Sequence, residues 1–446
     1  MAERWNNRAL FSLIWPLIIE QILVMTMGVT ATVMVSPIGE FAVSGVNIID
    51  NINFLFIIAF IALSTGGAVV VSQYIGRGNY QSASLASKQL IYIVIIVSIV
   101  IALIALLFRE PVIRIIYGSI DDDVMSAAMT FFFFSALSYP VVALYSVFAA
   151  LFRSMGNSQI PMRVSLLMNV LHILLNILFL YGMEMGVTGV ALSAFLSRVA
   201  ATIIIITILA TSTRFPISIA GILKVKFVPH IIRQILNIGV PTGLEQSMFM
   251  LGRLLTQRIF PFFGTGIIAA NAVASVVSSV SFMAGNALGF ALLTVVGQNL
   301  GAGDVEAAKR DTAKILKISW IIVSTISAAT FIFSNFFIGF FNLSYDSQES
   351  ANLFLRVHSI TMIVGWTLSF VLPNALRAAG DAKYVMLVAA VSMWLVRVIS
   401  AYLLSFTFGI GPLGVWLAMA GDFIVRGIFY FLRWRSGRWQ NKKVIE

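Results

Sequence analysis

The sequence predicts an all-α polytopic membrane protein, with twelve transmembrane helices in two six-helix lobes that repeat one another in parallel. Three observations carry that prediction. Of 446 residues, 59% are hydrophobic and 11% charged, with a mean hydropathy of +0.97. A soluble domain is about 45–50% apolar and ~25% charged, and the polar shell it would need is missing here. The apolar residues fall in runs of roughly 20 or more, the length that crosses a bilayer as an α-helix. The two halves also match each other at a nearly constant offset. The first two observations exclude soluble enzymes, nucleic-acid binders and disordered scaffolds.

The elements follow in order. A short polar tail, Met1 to Arg8, carries no cleavable signal and leads into the first span, 10–35. Spans at 47–75, 86–108, 125–152, 160–182 and 189–210 complete the amino-terminal lobe, residues 1–210. The longest polar-leaning joint comes next, from Thr211 to Gln234, with Arg214, Lys224, Lys226 and Arg233 but no acid. It supplies a cytoplasmic linker at 211–231. Spans at 232–260, 267–299, 309–341, 348–378, 382–408 and 411–435 then fill the carboxyl-terminal lobe, 232–446. Pro16, Pro140, Pro241 and Pro373 lie inside or at the start of spans, where they can break or bend them.

Charge sets the orientation. There are 29 Lys and Arg against 18 Asp and Glu, a net charge of +11. With the N-terminus inside, the inner joints and tails hold 22 of the 29 cations. Lys and Arg collect on cytoplasmic loops, so both termini are expected in the cytoplasm of a multi-pass inner-membrane protein. The cations are spread over many joints, as a bilayer partner requires and a nucleic acid does not. With no cysteine and three histidines (His172, His230, His358), the chain predicts no disulfide and no metal-ligand cluster.

The repeat is read by sliding the second half over the first. Pro16, Glu20 and Gln21 meet Pro241, Glu245 and Gln246, an offset of 225. At the same offset Gln73, Gly76 and Gly78 meet Gln298, Gly301 and Gly303, and Gly186 and Gly189 meet Gly411 and Gly414. One residue off, Arg153 and Gly156 meet Arg377 and Gly380. Such agreement indicates duplication. Six spans per half keep the halves in one orientation, an arrangement found chiefly in alternating-access transporters.

Taken together, the Pro-x3-Glu-Gln stretches, Ser72-Gln73-Tyr-Ile-Gly76, Gly297-Gln298-Asn-Leu-Gly301-Ala-Gly303 and Leu376-Arg377-Ala-Ala-Gly380-Asp381 resemble the motifs of the multidrug and toxic compound extrusion (MATE) transporters. The resemblance covers essentially the whole chain. It implies two lobes opening alternately to either side, and export of small organic cations driven by H⁺ or Na⁺, with no other cofactor and no enzymatic step. A functional monomer is expected. The sequence departs from the family in span 1, where Thr30-Ala31-Thr32 puts Ala31 at the place of the usual Asp. The stretch in span 5 reads Asn169-Val-Leu-His172 through Asn176, and the usual Asn there is also in question.

An ionisable group deep in a span is costly and therefore a functional candidate. Glu245, near the middle of span 7, is the foremost, because a carboxyl there can hold either a proton or a cation. The structural reading is an ion pair; Arg253 lies about 12 Å along the same helix, too far for a direct contact. Gln246 adjoins it. Glu20, its repeat partner, either inherits the role lost at Ala31 or holds the start of the helix, and the second is favoured. His172 is a natural proton switch, yet between Asn169 and Asn176 a packing role is favoured. Asp50 begins span 2 beside Asn47, Asn51 and Asn53, and capping is preferred to cation attraction. Arg253 would repel a cationic substrate or neutralise a bare carboxylate. Asp422 and Arg426 are spaced to form a structural pair.

The Gly-rich joints lack a following Gly-Lys-Ser/Thr, so they read as turns and transport must be gradient-driven. Met25, Met27, Met34, Met248, Met250 and Met283, with Phe54, Phe249 and Phe282, would give a pliable wall, although packing is favoured for any one of them. Two other readings compete with drug export. A lipid-linked-sugar flippase of the same superfamily predicts a cavity rich in Arg and Lys. A non-transporting membrane subunit predicts no drug resistance on expression.

Overall fold

The structure, a computed structural model, describes residues 5–118, 120–224 and 226–445; no strand occurs among them. Besides short 3-10 turns, fourteen helices follow in order among the described residues. The first seven are α1 (Asn7–Val35), α2 (Glu40–Gly76), α3 (Tyr80–Leu107), α4 (Arg109–Tyr117), α5 (Asp122–Ser154), α6 (Gln159–Gly182) and α7 (Gly186–Thr211). The second seven are α8 (Pro229–Gln257), α9 (Thr265–Gly301), α10 (Val305–Ile332), α11 (Ser334–Gly339), α12 (Tyr345–Ala378), α13 (Ala382–Thr407) and α14 (Leu413–Arg435). All but α4 and α11 are long. Eleven of the twelve long helices are apolar enough to cross a membrane. The other, α8, is interrupted by Arg233, Glu245 and Arg253.

The duplication is written into the helix ends. α9, α10 and the start of α11 repeat α2, α3 and the start of α4 at the 225-residue offset that joins Pro16 to Pro241. The turns repeat as well. Gly78 and Gly303 take φ of +79° and +77°, a conformation that a side chain disfavours. One residue later, Asn79 Oδ1 accepts from Ser82 N at 2.9 Å and Asp304 Oδ1 from Ala307 N at 2.8 Å. Each is an N-cap that satisfies an orphan donor of the following helix. The tight-turn reading of these Gly-rich joints therefore has a physical form.

Three boundaries differ from the sequence reading. α2 starts at Glu40, seven residues before the expected 47, so Asp50 lies well inside the helix and caps nothing. The span expected at 309–341 is two helices, α10 and α11, separated at Phe333. The third helix begins at Tyr80 instead of 86. The prolines of α1, α5 and α8 do not end their helices. Pro373 in α12 follows a stretch of widened turns, Met362–Val371, that opens the backbone before the ring. Similar stretches occur in α6 and α13.

The chain forms two compact units, Asn7–Gly243 and Leu244–Glu446, the latter taking in Trp5 and Asn6. The division falls within α8, beyond the stretch 211–231 expected as linker. That stretch is fastened to α3: Lys88 Nζ donates to the Ala220 carbonyl at 2.6 Å, and Gln89 Nε2 to that of Lys226 at 2.8 Å. The first half of α8 then lies against α2. A Cβ on Gly66 would strike the Ile235 carbonyl oxygen and come within 2.7 Å of Gly239 N, so two glycines permit the backbones to touch.

Candidate functional site

Burial forces each intramembrane polar group to find a partner or remain costly. In the unit 7–243, the first such group is Glu20, buried on α1. Arg153, the last basic residue of α5, reaches its Oε1 at 3.5 Å. The repeat-related pair in the other unit is closer. Arg377 Nη2 donates to both Glu245 oxygens at 2.7 Å, while its Nη1 donates to Asn374 Oδ1 at 2.8 Å. Glu245 is 7% and Arg377 6% exposed. The partner that sequence reasoning sought for Glu245 is thus the arginine of the Leu-Arg-Ala-Ala-Gly-Asp motif, on α12. Next to it, Asp381 holds Arg433 at 2.6 Å. Gln246 is exposed and Arg253 makes no ion pair among the described residues.

Asp50 belongs to a different network, built on α2, α5 and α7. Asn53 Nδ2 donates to Ser135 Oγ at 3.1 Å and reaches Asp50 Oδ1 at 3.5 Å. Tyr139 donates its hydroxyl proton to Asn53 Oδ1 at 2.8 Å. Arg198 Nη1 donates to Ser138 Oγ at 3.0 Å. Asp50 therefore differs from Glu245, whose two oxygens both accept from Arg377: no arginine hydrogen-bonds Asp50 among the described residues. Of the polar stretch on α6, Asn169 and Asn176 turn their amides back to the Ser165 and His172 carbonyls at 2.9 Å. His172 is buried, and neither ring nitrogen meets a hydrogen-bond partner among the described residues. Ala31 is buried too, with no polar atom on its side chain.

The carboxyl-terminal unit holds one more cluster, of which the sequence revealed only half. Asp422 Oδ1 accepts from Arg426 Nε at 2.7 Å and from Ser392 Oγ at 2.6 Å, which is the expected i, i+4 pair. A second arginine, Arg397 on α13, faces Asp422 Oδ2 at 3.8 Å. Both guanidinium groups lie over the Phe249 ring, 5.4 and 5.3 Å from its centroid. Phe249 and Phe282, read as wall residues, are here packed into an aromatic group. Phe249 meets Phe370 edge-on, and Phe282 touches His358 and Trp366. The signals that could have found these partners were present. Glu and Arg recur together at matched positions in both halves, and Arg397 is a lone cation in an apolar run.

No three His, Asp or Glu side chains gather to hold a metal ion among the described residues. What the arrangement offers is a set of buried carboxylates whose affinity for a proton or a cation depends on neighbouring guanidinium groups.

Comparisons with known proteins agree with the duplicated plan. The MatE family model matches residues 16–178 and again 241–403, two segments related by the 225-residue offset. An uncharacterized transporter of Bacillus subtilis, YisQ, is 29% identical over 97% of this chain and 95% of its own. A probable multidrug resistance protein, NorM of Thermotoga maritima, is 25% identical over 98% of this chain and 94% of its own. A solved multidrug resistance MATE family transporter of the MOP superfamily, seen facing outward, shares the fold. Its TM-score is 0.90 at 19% identity, over 98% of this chain and 97% of that one. A family match over most of the chain, repeated once per half, means that this multi-pass membrane protein belongs to the multidrug and toxic compound extrusion (MATE) family of transporters.

Proposed function

We propose that the chain is a secondary exporter of small organic cations, driven by inward flow of H⁺ or Na⁺ and working as a monomer in the bacterial inner membrane with both termini in the cytoplasm. The multidrug character of its relatives and the twofold family match support export. One observation carries the coupling: Asp50 is an intramembrane carboxylate met by the Asn53 amide at 3.5 Å and by no arginine among the described residues. A carboxylate held on both oxygens by an arginine, as Glu245 is, must give up those bonds before it can take a proton or cation. Asp50 needs only to exchange a weak amide contact. It stands in for the carboxylate missing at Ala31, and Tyr139 and Asn53 orient it.

The test is ethidium efflux from cells expressing the chain, under imposed H⁺ and Na⁺ gradients. The parent exports, Asp50→Asn loses the gradient dependence, and Ala31→Asp retains export. Gradient-driven export that is indifferent to Asp50→Asn would overturn the assignment of coupling to Asp50. Absence of export from every version would overturn the drug reading. The competing reading is the lipid-linked-sugar flippase, against which the intramembrane cations, Arg198, Arg253, Arg397 and Arg426, count mildly because they are few for a pyrophosphate-lined cavity. It predicts that lipid-pyrophosphate translocation takes the place of ethidium export.

A further inference from the structure

The cluster around Asp422 contains more positive charge than its carboxylate can balance. Asp422 is 0%, Arg426 2% and Arg397 6% exposed, so water screens none of them well. Arg426 takes Oδ1 at 2.7 Å in good hydrogen-bonding geometry. Arg397 is left with the other oxygen at 3.8 Å, beyond a hydrogen bond. Arg397 Nε and Nη1 and Arg426 Nη2 are buried, and no acceptor among the described residues meets them. Glu245, in the same unit, is already held by both its oxygens on Arg377. Aromatic faces soften the imbalance, since Phe249 and Phe423 lie 5.4 and 5.9 Å from the Arg397 guanidinium carbon, but a ring quadrupole does not neutralise a full charge.

We propose that Arg397 and Arg426, bridged by Asp422, form a binding site for a compact monovalent anionic group, either a halide ion or the carboxylate head of a small organic anion. The unused N–H donors of two planar forks are the groups that such an anion recognises. Asp422 keeps the two like charges together, and Ser392 fixes Asp422 by donating to its Oδ1 at 2.6 Å. A bound anion would bring Asp422, Arg426 and Arg397 to neutrality. The site is remote in sequence from Asp50 and does not depend on what the protein exports.

The test uses the full chain purified in detergent, with thermal unfolding followed at constant ionic strength in isethionate, a bulky sulfonate that is neither a halide nor a carboxylate. Chloride is titrated in one arm and benzoate in the other. A ligand that binds only the folded state raises Tm in a saturable manner. A rise with chloride alone identifies a free-ion site. A rise at lower concentrations of benzoate identifies a carboxylate headgroup. Arg397→Met abolishes the response and, in isethionate alone, unfolds at a higher temperature than the parent, because the uncompensated charge is gone. Arg397→Lys keeps the charge and loses the fork, so the response persists with apparent affinity lowered about tenfold or more. A Tm that ignores both anions overturns the proposal, as does a full response in Arg397→Met.

Discussion

The pair between Glu245 and Arg377 permits a double-mutant cycle of large expected amplitude. Both side chains are buried, and one guanidinium nitrogen lies 2.7 Å from each carboxylate oxygen. Removing one partner strands the other as an uncompensated charge, which typically costs about 3–5 kcal/mol. Replacing both by apolar groups of similar size removes the two desolvation penalties together, so the double variant returns to within about 1–2 kcal/mol of the parent. Arg377→Met and Glu245→Met are therefore each strongly destabilised, and Glu245→Met/Arg377→Met is nearly restored. Asn374 loses the donor to its Oδ1 with Arg377 while its Nδ2 keeps the Phe370 carbonyl at 2.9 Å, which adds about 1 kcal/mol to the cost of Arg377→Met. The assay is unfolding in mixed micelles, followed by tryptophan fluorescence, with the four versions compared at one detergent composition. Additive losses, with the double variant as unstable as the two single changes summed, would refute the pairing. The related pair Glu20–Arg153, at 3.5 Å through a single contact, should show a smaller coupling in the same cycle.

Other consequences can be checked separately. Gly66→Ala forces a methyl group into the Ile235 carbonyl and the backbone of Gly239; backbone cannot rotate away, so the loss should be about 1–3 kcal/mol or more, and an unchanged Tm would contradict the close approach. Asp304→Ala removes the cap on Ala307 N and should cost about 1 kcal/mol, with Asn79→Ala matching it in the other repeat; both are read by thermal unfolding. Tyr139→Phe removes the hydroxyl that fixes Asn53 and should weaken gradient-driven ethidium export without lowering expression of the folded chain.

The helical plan was legible because apolar runs long enough for a bilayer leave few alternatives, and α8 was counted among them although its hydropathy is modest. The start of α2 was not legible. Asn47, Asp50, Asn51 and Asn53 read as the polar beginning of the span, since a hydropathy count penalises polar residues whichever way they face. Within the lobe, Asn53 instead bonds to α5. Phe333 gave no warning of the break between α10 and α11, which rests on one residue leaving helical geometry at φ −97° and ψ 20°. At the site, the carboxylates were found by their rarity, but their partners are far apart in the chain. Glu20 and Arg153 are 133 residues apart, Glu245 and Arg377 132. Only the joint recurrence of the two pairs in both halves pointed to them. Arg397 had no counterpart of that kind.

Gradient-driven exchange is tested most directly with the purified chain in liposomes free of ATP. An imposed H⁺ or Na⁺ gradient should accumulate ethidium against its own gradient, and an ethidium gradient should in turn drive the same ion the opposite way. Ethidium movement that only relaxes its own gradient, with no ion moving in exchange, would contradict an antiporter.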